Sequence, residues 1–257
     1  MQPVRLDRQF GTRSGAWDSE AWEGGRMELR VLADVPAAAT WSANTIARRL
    51  RHAVDARGRA TVAFSGGSTP ALMLVDLAAM DLPWSSIDVF QVDERVAPDG
   101  DSARNLGLLD VLPVRARQVH AMPVTAKDLR AATRRYASQL PDRFDVVHLG
   151  LGDDGHTASW PPGDPVIDSA RAVDLSEPYN GFVRMTLTPP AVNGARCRIV
   201  LATGSSKRPM VQLWLFGDRA LPGDPLPIGR VRRTGTVVVV DTAAAPTAPA
   251  APAATGR

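Results

Sequence analysis

The sequence has little of several features that define whole classes of protein. Its one cysteine, Cys197, lies in the apolar run CRIVLA, so the chain can form neither an internal disulfide nor a cysteine-based zinc cluster. No apolar run approaches the roughly 20 residues that a membrane helix needs. The first residues, MQPVRLDRQF, lack the apolar core of a signal peptide. We therefore expect a cytoplasmic protein with no membrane partner.

The sequence has little excess of charge of either sign. It contains 30 Lys and Arg residues and 27 Asp and Glu residues, so the formal net charge is +3. A nucleic-acid-binding protein usually concentrates its basic excess in one patch or tail. Basic clusters do occur at residues 47–52, 133–136 and 230–233, without the interleaved aromatics that stack on bases. We interpret them as solvated faces of helices or loops and expect no nucleic-acid partner.

Composition divides the chain into three segments. Residues 1–26 are polar and rich in Gly and Arg, which predicts a loosely ordered N-terminal extension. Residues 27–242 hold the apolar runs, and we predict that they form a single catalytic α/β domain. The Ala/Pro stretch AAAPTAPAAPAATGR, residues 243–257, has low complexity and predicts a disordered tail.

Short β-rich runs alternate with helix-like segments through the central segment. The predicted strands are residues 28–33, 60–64, 87–92, 144–149, 197–202 and 235–240, and the predicted helices are residues 37–56, 70–80, 102–110, 127–139 and 205–216. Continuous apolar strands separated by helices indicate an α/β fold with a doubly wound, mostly parallel, Rossmann-like sheet and helices on both faces. Such sheets bind ligands beyond the carboxyl ends of their strands, so the polar loops after the strands are the candidate sites.

The loop GLGDDGHTAS, residues 150–159, follows one of these strands and matches the spacing G-x-G-x-x-G. A dinucleotide site needs a full helix after the glycines and an acidic residue about 20 positions on. Asp174 lies at a plausible distance, but the Pro-Pro pair after the loop allows only a short turn, and the two aspartates repel an anion. We favour glycines that present His156 as a base at the strand end, with an incidental histidine in a capping turn as the alternative.

Two further positions after strands contain groups suited to an anion. SGGSTP, residues 65–70, resembles a phosphate or carboxylate cradle before a helix, but it lacks the G-K-[ST] ending of a nucleoside triphosphate loop. TGSSK ends in Lys207, one of only two lysines in the chain, and a compact ammonium suits a phosphate contact. Arg184, in the strand-like FVRMTLT, is a further candidate for the same anion, with a surface salt bridge as the alternative.

A fourth loop, DERVAP at residues 93–98, places Asp93, Glu94 and Arg95 after another strand. Such a group can bind sugar hydroxyls, orient a histidine or steady an oxyanion, and it can also form a self-contained ion pair. The serine-hydrolase motif G-x-S-x-G is absent from the sequence, which disfavours a covalent acyl-enzyme.

The loops SGGSTP, DERVAP and GLGDDGHTAS, followed by GFVRMT and TGSSK, stand in an order that resembles the 6-phosphogluconolactonase family, relatives of glucosamine-6-phosphate deaminase, over residues 28–241. The resemblance implies hydrolysis of 6-phospho-D-glucono-1,5-lactone to 6-phosphogluconate in the oxidative pentose phosphate pathway. The resemblance further implies that this is a carboxylic ester hydrolysis with no required cofactor and no metal. The implied partner is a phosphorylated sugar lactone, and we expect a monomer or a weak homodimer.

The resemblance also assigns roles to individual residues. His156 matches the catalytic histidine of the family and would be the general base, while Asp154 would orient the site and Arg95 would give it electrostatic support. The matching positions for substrate and phosphate binding are Gly66, Gly67, Ser68, Thr69, Asp93, Arg184 and Lys207.

The sequence departs from the family pattern at two places. Arg104 precedes Asn105 where the family usually has serine, so we expect one polar contact to differ, and WPPG at residues 160–163 should alter the wall beside the histidine. One alternative is a deaminase, whose family places a glutamate shortly after the histidine, whereas the first carboxylate after His156 here is Asp164. Another is a non-catalytic sugar-phosphate sensor, which needs no histidine at the strand end. We favour the lactonase.

Overall fold

The computed structural model describes residues 27–115, 118–217 and 226–247. Within this part of the chain, seven parallel strands form the main sheet in the order β1-β10-β9-β6-β2-β3-β5. In chain order the strands are β1 Glu28–Leu32, β2 Ala60–Phe64, β3 Ile87–Gln91, β4 Asp93–Arg95, β5 Val119–His120, β6 Val146–Gly150, β7 Val173–Leu175, β8 Arg184–Leu187, β9 Cys197–Ala202 and β10 Thr236–Asp241. Six of the seven main-sheet strands lie within two residues of the predicted strands, as expected for apolar runs buried on both faces.

Helices cover both faces of this sheet. They are α1 Val35–Arg57, α2 Ser68–Ala78, α3 Leu129–Ala137, α4 Pro189–Gly194 and α5 Arg208–Phe216. One hydrophobic cluster joins α1 and α2 to one face of the sheet, and a second joins α3, α4 and α5 to the other. Successive strand residues alternate between the two clusters, as Ala63 and Phe64 do in β2. The predicted doubly wound α/β fold is confirmed.

The longest described helix, α1, is delimited by signals at both ends. The Asp34 carboxylate accepts a hydrogen bond from the Ala37 amide at 2.8 Å, and Pro36 lies in the first turn. At the other end Gly58 has a φ of 74°, and its amide donates to the Val54 carbonyl at 2.7 Å. This left-handed cap ends the helix and turns the chain into β2.

The direction of chain progression reverses between β2 and β6. From β2 the chain moves to β3 and β5 on one side, and from β6 it moves to β9 and β10 on the other. Such a topological switch point is where open α/β sheets bind ligands, beyond the carboxyl ends of the strands. The loops that leave these two strands are SGGSTP and GLGDDGHTAS, so the fold brings two of the candidate loops to the same place.

A second, antiparallel sheet has the order β4-β8-β7. The sequence predicts a loop at residues 93–98, but the first three of these residues form β4, which pairs with β8. This pairing sets Arg95 directly opposite Arg184. The small sheet therefore joins two candidate site residues that are far apart in sequence.

Two predicted helices differ from the structure. The predicted helix at 102–110 is a 3₁₀ helix over residues 106–111, because the buried Glu94 carboxylate accepts from the amides of Asn105 and Leu106 at 2.7 and 2.9 Å. In an α-helix those amides would donate to backbone carbonyls instead. The predicted helix at 205–216 begins as one 3₁₀ turn, Ser205–Lys207, and becomes α5 only at Arg208.

The predicted tail begins too early in the sequence. Ala244 is fully buried, its amide donates to Asp241 at 2.8 Å, and the Thr247 amide donates to Gln212 at 2.7 Å. Residues 243–247 therefore pack on the domain, while the extension predicted at 1–26 and the tail from 248 lie outside the described residues. No helix in the described part of the chain is long and apolar enough to cross a membrane.

Candidate active site

His156 lies in a tight turn that follows β6. The Gly152 amide donates to the His156 carbonyl at 2.8 Å and closes the turn, and Gly155 has a φ of 84°, which glycine tolerates. A Cβ atom on Gly152 would overlap the imidazole ring of His156. The glycines therefore bend the chain and leave room for the histidine.

The same turn is unsuited to a dinucleotide. Residues 151–164 form turns and one isolated bridge but no helix, so no helix N-terminus faces an anion here. Asp174, the acidic residue at a plausible spacing, is bonded to Arg171 at 3.0 Å and Arg130 at 3.2 Å. Its carboxylate is engaged by these arginines, which disfavours a role on a ribose.

Asp154 and His156 form a hydrogen-bonded pair. The imidazole Nδ1 lies 2.6 Å from Asp154 Oδ1, and the same oxygen accepts from the His156 amide at 3.1 Å. The Tyr179 hydroxyl donates to the other carboxylate oxygen at 2.6 Å. Burial opposes ionisation of Asp154, but the hydrogen bonds from Tyr179 and His156 outweigh it and lower the pKa to about 2. An ionised Asp154 accepts a hydrogen bond from a protonated Nδ1. In that tautomer Nε2 is the ring nitrogen that can accept a proton.

The SGGSTP loop lies beside the TGSSK loop and beside Asn105. Gly67, with a φ of 127°, is the N-cap of α2. The Thr69 hydroxyl lies 2.7 Å from the Thr203 hydroxyl in TGSSK, and a Cβ atom on Gly66 would overlap the side chain of Asn105. The loop therefore needs glycine for a close approach, and its helix N-terminus provides amides for an anion.

Lys207 is tied to the loop that carries the histidine. Its ammonium lies 2.6 Å from Asp153 Oδ1, and the Ser206 hydroxyl donates to the same oxygen at 3.0 Å. These contacts lower the pKa of Asp153. Lys207 is also the residue before α5, where a cation is unfavourable toward the helix dipole unless an anion accompanies it.

Two arginines lie side by side across the small sheet. Arg95 and Arg184 are direct cross-strand partners, an arrangement of like charges that is normally destabilising. Arg184 is buried, and its Nε has no hydrogen-bond partner within the described residues. Burial and the charge of Arg95 lower the pKa of Arg184. A guanidinium crowded by a second arginine is suited to an anionic ligand.

The Asp93 carboxylate lies beneath the arginines and contacts the histidine loop. It is buried and accepts from the Ser159 hydroxyl at 2.7 Å, which connects β4 to the histidine loop. Burial raises the pKa of Asp93, and the Ser159 hydrogen bond and the charge of Arg184 offset part of the rise. This buried position suits electrostatic support of the arginines better than the predicted contact of Asp93 with substrate.

Comparison with known proteins assigns the chain to a family. A family model described as glucosamine-6-phosphate isomerases/6-phosphogluconolactonase matches residues 33–240. The chain belongs to this family. A 6-phosphogluconolactonase of Nostoc sp. is 35% identical over 199 residues, which cover 72% of this chain and 83% of the relative. The crystal structure of a 6-phosphogluconolactonase from Shewanella baltica has a TM-score of 0.75 at 27% identity and covers 84% of this chain and 99% of its own.

A glucosamine-6-phosphate deaminase has the same fold. The structure of a monomeric glucosamine-6-phosphate deaminase covers 85% of this chain and 98% of its own with a TM-score of 0.73, at 16% identity. At that identity the likeness shows the fold alone. The choice between the two activities therefore depends on the residues of the site.

The two departures from the family pattern have structural roles. Arg104 is turned away from solvent and lies 3.0 Å from Glu94, and it also donates to the Ala97 carbonyl at 3.1 Å. Asn105 donates to the Asp93 carbonyl at 3.1 Å. Trp160 is fully buried and bonded to the Leu187 carbonyl at 2.7 Å, so it packs in the core. The effect of WPPG on the wall beside the histidine stays a prediction.

Tyr179 belongs to the candidate site, although no motif in the sequence singles it out. It contacts both Asp154 and His156, and its ring lies under the Arg184 guanidinium at 5.1 Å. A signal was present in the sequence YNGF, because an Asn-Gly pair between two β-rich runs predicts a hairpin turn. Among the described residues, no three histidine, cysteine or carboxylate side chains converge on a possible metal site.

Proposed function

We propose that the protein is a 6-phosphogluconolactonase, which hydrolyses 6-phospho-D-glucono-1,5-lactone to 6-phosphogluconate in the oxidative pentose phosphate pathway. The observation that carries the proposal is the Asp154–His156 pair at the switch point, with Lys207 tied to the same loop. Family membership and relatives named 6-phosphogluconolactonase support it.

Recognition of the substrate phosphate is assigned to the basic and backbone groups around the histidine. The amides of Gly66, Gly67, Ser68 and Thr69 would bind phosphate oxygens at the start of α2, and Lys207 and Arg184 would neutralise the charge. An anion would relieve the repulsion between Arg184 and Arg95. Binding energy from the phosphate then holds the lactone carbonyl beside His156.

The chemical step is general-base hydrolysis. The Nε2 of His156 takes a proton from water while the water oxygen forms a bond to the lactone carbonyl carbon. Asp154 holds Nδ1 and stabilises the resulting imidazolium, and Arg95 supports the negative charge that develops on the carbonyl oxygen. Collapse of the tetrahedral intermediate breaks the bond to the ring oxygen, which takes a proton from the imidazolium.

The deaminase alternative is weaker because the chain lacks a suitable carboxylate after the histidine. Asp164 is the first, and its two oxygens accept from the amides of Val166 at 2.8 Å and Glu177 at 2.9 Å. Thr157 and Ser159, between them, are buried and bonded to Gly150 and Asp93. No group at these positions is available to assist opening of a sugar ring.

The test is a coupled assay in which glucose 6-phosphate and its dehydrogenase generate the lactone and 6-phosphogluconate dehydrogenase reports the product. Wild type should raise the rate above that of the spontaneous reaction. His156→Ala should lose about 10²–10⁴-fold in kcat with little change in KM, while His52→Ala on the exposed face of α1 should match wild type. Full activity of His156→Ala would remove the general-base role, and no acceleration by wild type would favour the deaminase or the sensor.

A further inference from the structure

Tyr179 reaches the site from a two-residue turn in the connection between β7 and β8. Asn180 and Gly181 have φ values of 49° and 81°, as a type I′ turn requires. The Tyr179 amide donates to the Phe182 carbonyl at 2.9 Å, and the Phe182 amide donates back at 3.2 Å. Hydrogen bonds on both sides of the turn therefore hold the backbone of Tyr179.

A bulge precedes this turn. The Ser176 amide donates to the Arg184 carbonyl at 2.9 Å, so residues 177–178 together lie opposite Val183 alone. A bulge bends its strand and redirects side chains, and bulges occur often beside active sites. In this hairpin the bend accompanies a Tyr179 side chain that is directed at the histidine loop.

The hydroxyl of Tyr179 completes the shell of hydrogen bonds around Asp154. It donates to Oδ2 at 2.6 Å, while Oδ1 faces His156 Nδ1 at 2.6 Å, and the hydroxyl itself lies 3.3 Å from Nδ1. The imidazole and phenol rings meet edge to face, with centroids 5.4 Å apart. Tyr179 therefore contacts both the carboxylate and the imidazole of the pair.

The ring of Tyr179 contacts a second part of the site. The Arg184 guanidinium carbon lies 5.1 Å from the ring centroid, within the range of a cation–π contact. Arg184 is a proposed phosphate ligand, so one side chain touches both the phosphate-binding group and the pair that activates water. The hydroxyl serves the histidine and the ring serves the arginine.

We propose that Tyr179 is a positioning residue for the reaction, resting on the function proposed above. Its hydroxyl keeps Asp154 bonded to Nδ1 of His156, so that the imidazole stays in the tautomer whose Nε2 accepts a proton from water. Its ring holds Arg184 where the substrate phosphate binds. The two contributions are separable, because phenylalanine keeps the ring and loses only the hydroxyl.

The experiment compares Tyr179→Phe and Tyr179→Leu with wild type in the coupled assay. Tyr179→Phe should lower kcat about tenfold, the scale of one hydrogen bond to a charged group, without changing KM. Tyr179→Leu should lower kcat to a similar extent and also raise KM several-fold, because Arg184 loses its contact with the ring. The matched control is Tyr136→Phe, which removes the chain's only other tyrosine hydroxyl, one that is buried against Gln91.

A second readout does not require activity. With ¹⁵N-labelled histidine, the ring nitrogens of His156, assigned through His156→Ala, should show a protonated Nδ1 in wild type and Tyr136→Phe and a mixture of tautomers in Tyr179→Phe. A wild-type kcat or an unchanged tautomer in folded Tyr179→Phe contradicts the proposal, as does an equal effect of Tyr136→Phe. If wild type does not hydrolyse the lactone, the function fails while the ring-nitrogen signals still decide the role of Tyr179.

Discussion

At the scale of single residues, Lys207 and Asp153 should have opposite effects on substrate binding. The Lys207 ammonium, which we propose binds the substrate phosphate, forms an ion pair of 2.6 Å with Asp153, and the Asp153 side chain is largely exposed. Lys207→Ala should raise KM about tenfold through loss of a charged hydrogen bond. Asp153→Asn should lower KM about 2- to 5-fold, because it removes a competitor whose exposed pairing is weak. Steady-state kinetics of both variants measure these changes.

The control for this pair is Asp168→Asn. Asp168 is an exposed carboxylate whose ion pair, with Arg230, also measures 2.6 Å, but neither residue belongs to the candidate site. Its KM should equal that of wild type. An unchanged KM in Lys207→Ala would show that the ammonium does not contact the substrate.

His148 predicts an acid sensitivity of the folded state. This residue of β6 is fully buried beside Phe64, both its ring nitrogens lack hydrogen-bond partners within the described residues, and burial lowers its pKa from 6.5 to about 3. Between these two pH values the unfolded chain binds a proton that the folded chain does not. The free energy of unfolding should therefore fall as the pH drops through this window, by up to about 1.4 kcal/mol per pH unit.

Replacement by an apolar residue should remove this sensitivity. Denaturant unfolding of His148→Leu between pH 7 and pH 4 should show a shallower loss of stability than wild type, and no large loss at pH 7, because two unpartnered polar atoms leave the core. The exposed His52→Leu should follow wild type. Parallel curves for wild type and His148→Leu would mean that His148 does not control the acid response.

At the scale of elements, the left-handed cap of α1 should contribute measurably to stability. Gly58 has a φ of 74°, and a Cβ atom added to it would meet no atom within 4 Å. Gly58→Ala therefore meets only backbone strain and should lower the free energy of unfolding by about 1 kcal/mol. Gly194→Ala, also with open space but outside the left-handed region, is the matched comparison. Equal stabilities of the two variants would contradict the role of the cap.

Elements were predictable in proportion to the length and periodicity of their pattern. The six strands of five or six residues in the main sheet are mostly apolar, and the sequence predicted all six within two residues. The strands β4, β5 and β7 have two or three residues, too short for a period to emerge. The helix predicted at 102–110 does not form because Glu94 accepts hydrogen bonds from two of its backbone amides, which is a tertiary contact.

At the scale of the whole molecule, strand order decides which loops meet. The sequence places SGGSTP and GLGDDGHTAS 85 residues apart by their first positions, 65 and 150, yet β2 and β6 are neighbours in the sheet. The TGSSK loop contacts both of them, through Thr203 and Thr69 at 2.7 Å and through Lys207 and Asp153 at 2.6 Å. Asp93 of DERVAP contacts Ser159 of the histidine loop at 2.7 Å. The domain predicted at 27–242 stays a prediction, although the packing of Ala244 favours a later end.

The sequence by itself determined the α/β fold, the positions of the main strands and helices, and the loops that hold the candidate chemistry. Apolar periodicity and glycine-flanked turns are local properties, so they can be read from neighbouring residues. Only the tertiary structure decided that Arg95 lies opposite Arg184, that Asp153 forms an ion pair with Lys207, and that Tyr179 donates a hydrogen bond to Asp154. Each of these contacts joins residues from different elements, and their distances depend on strand order and register, which no local pattern encodes.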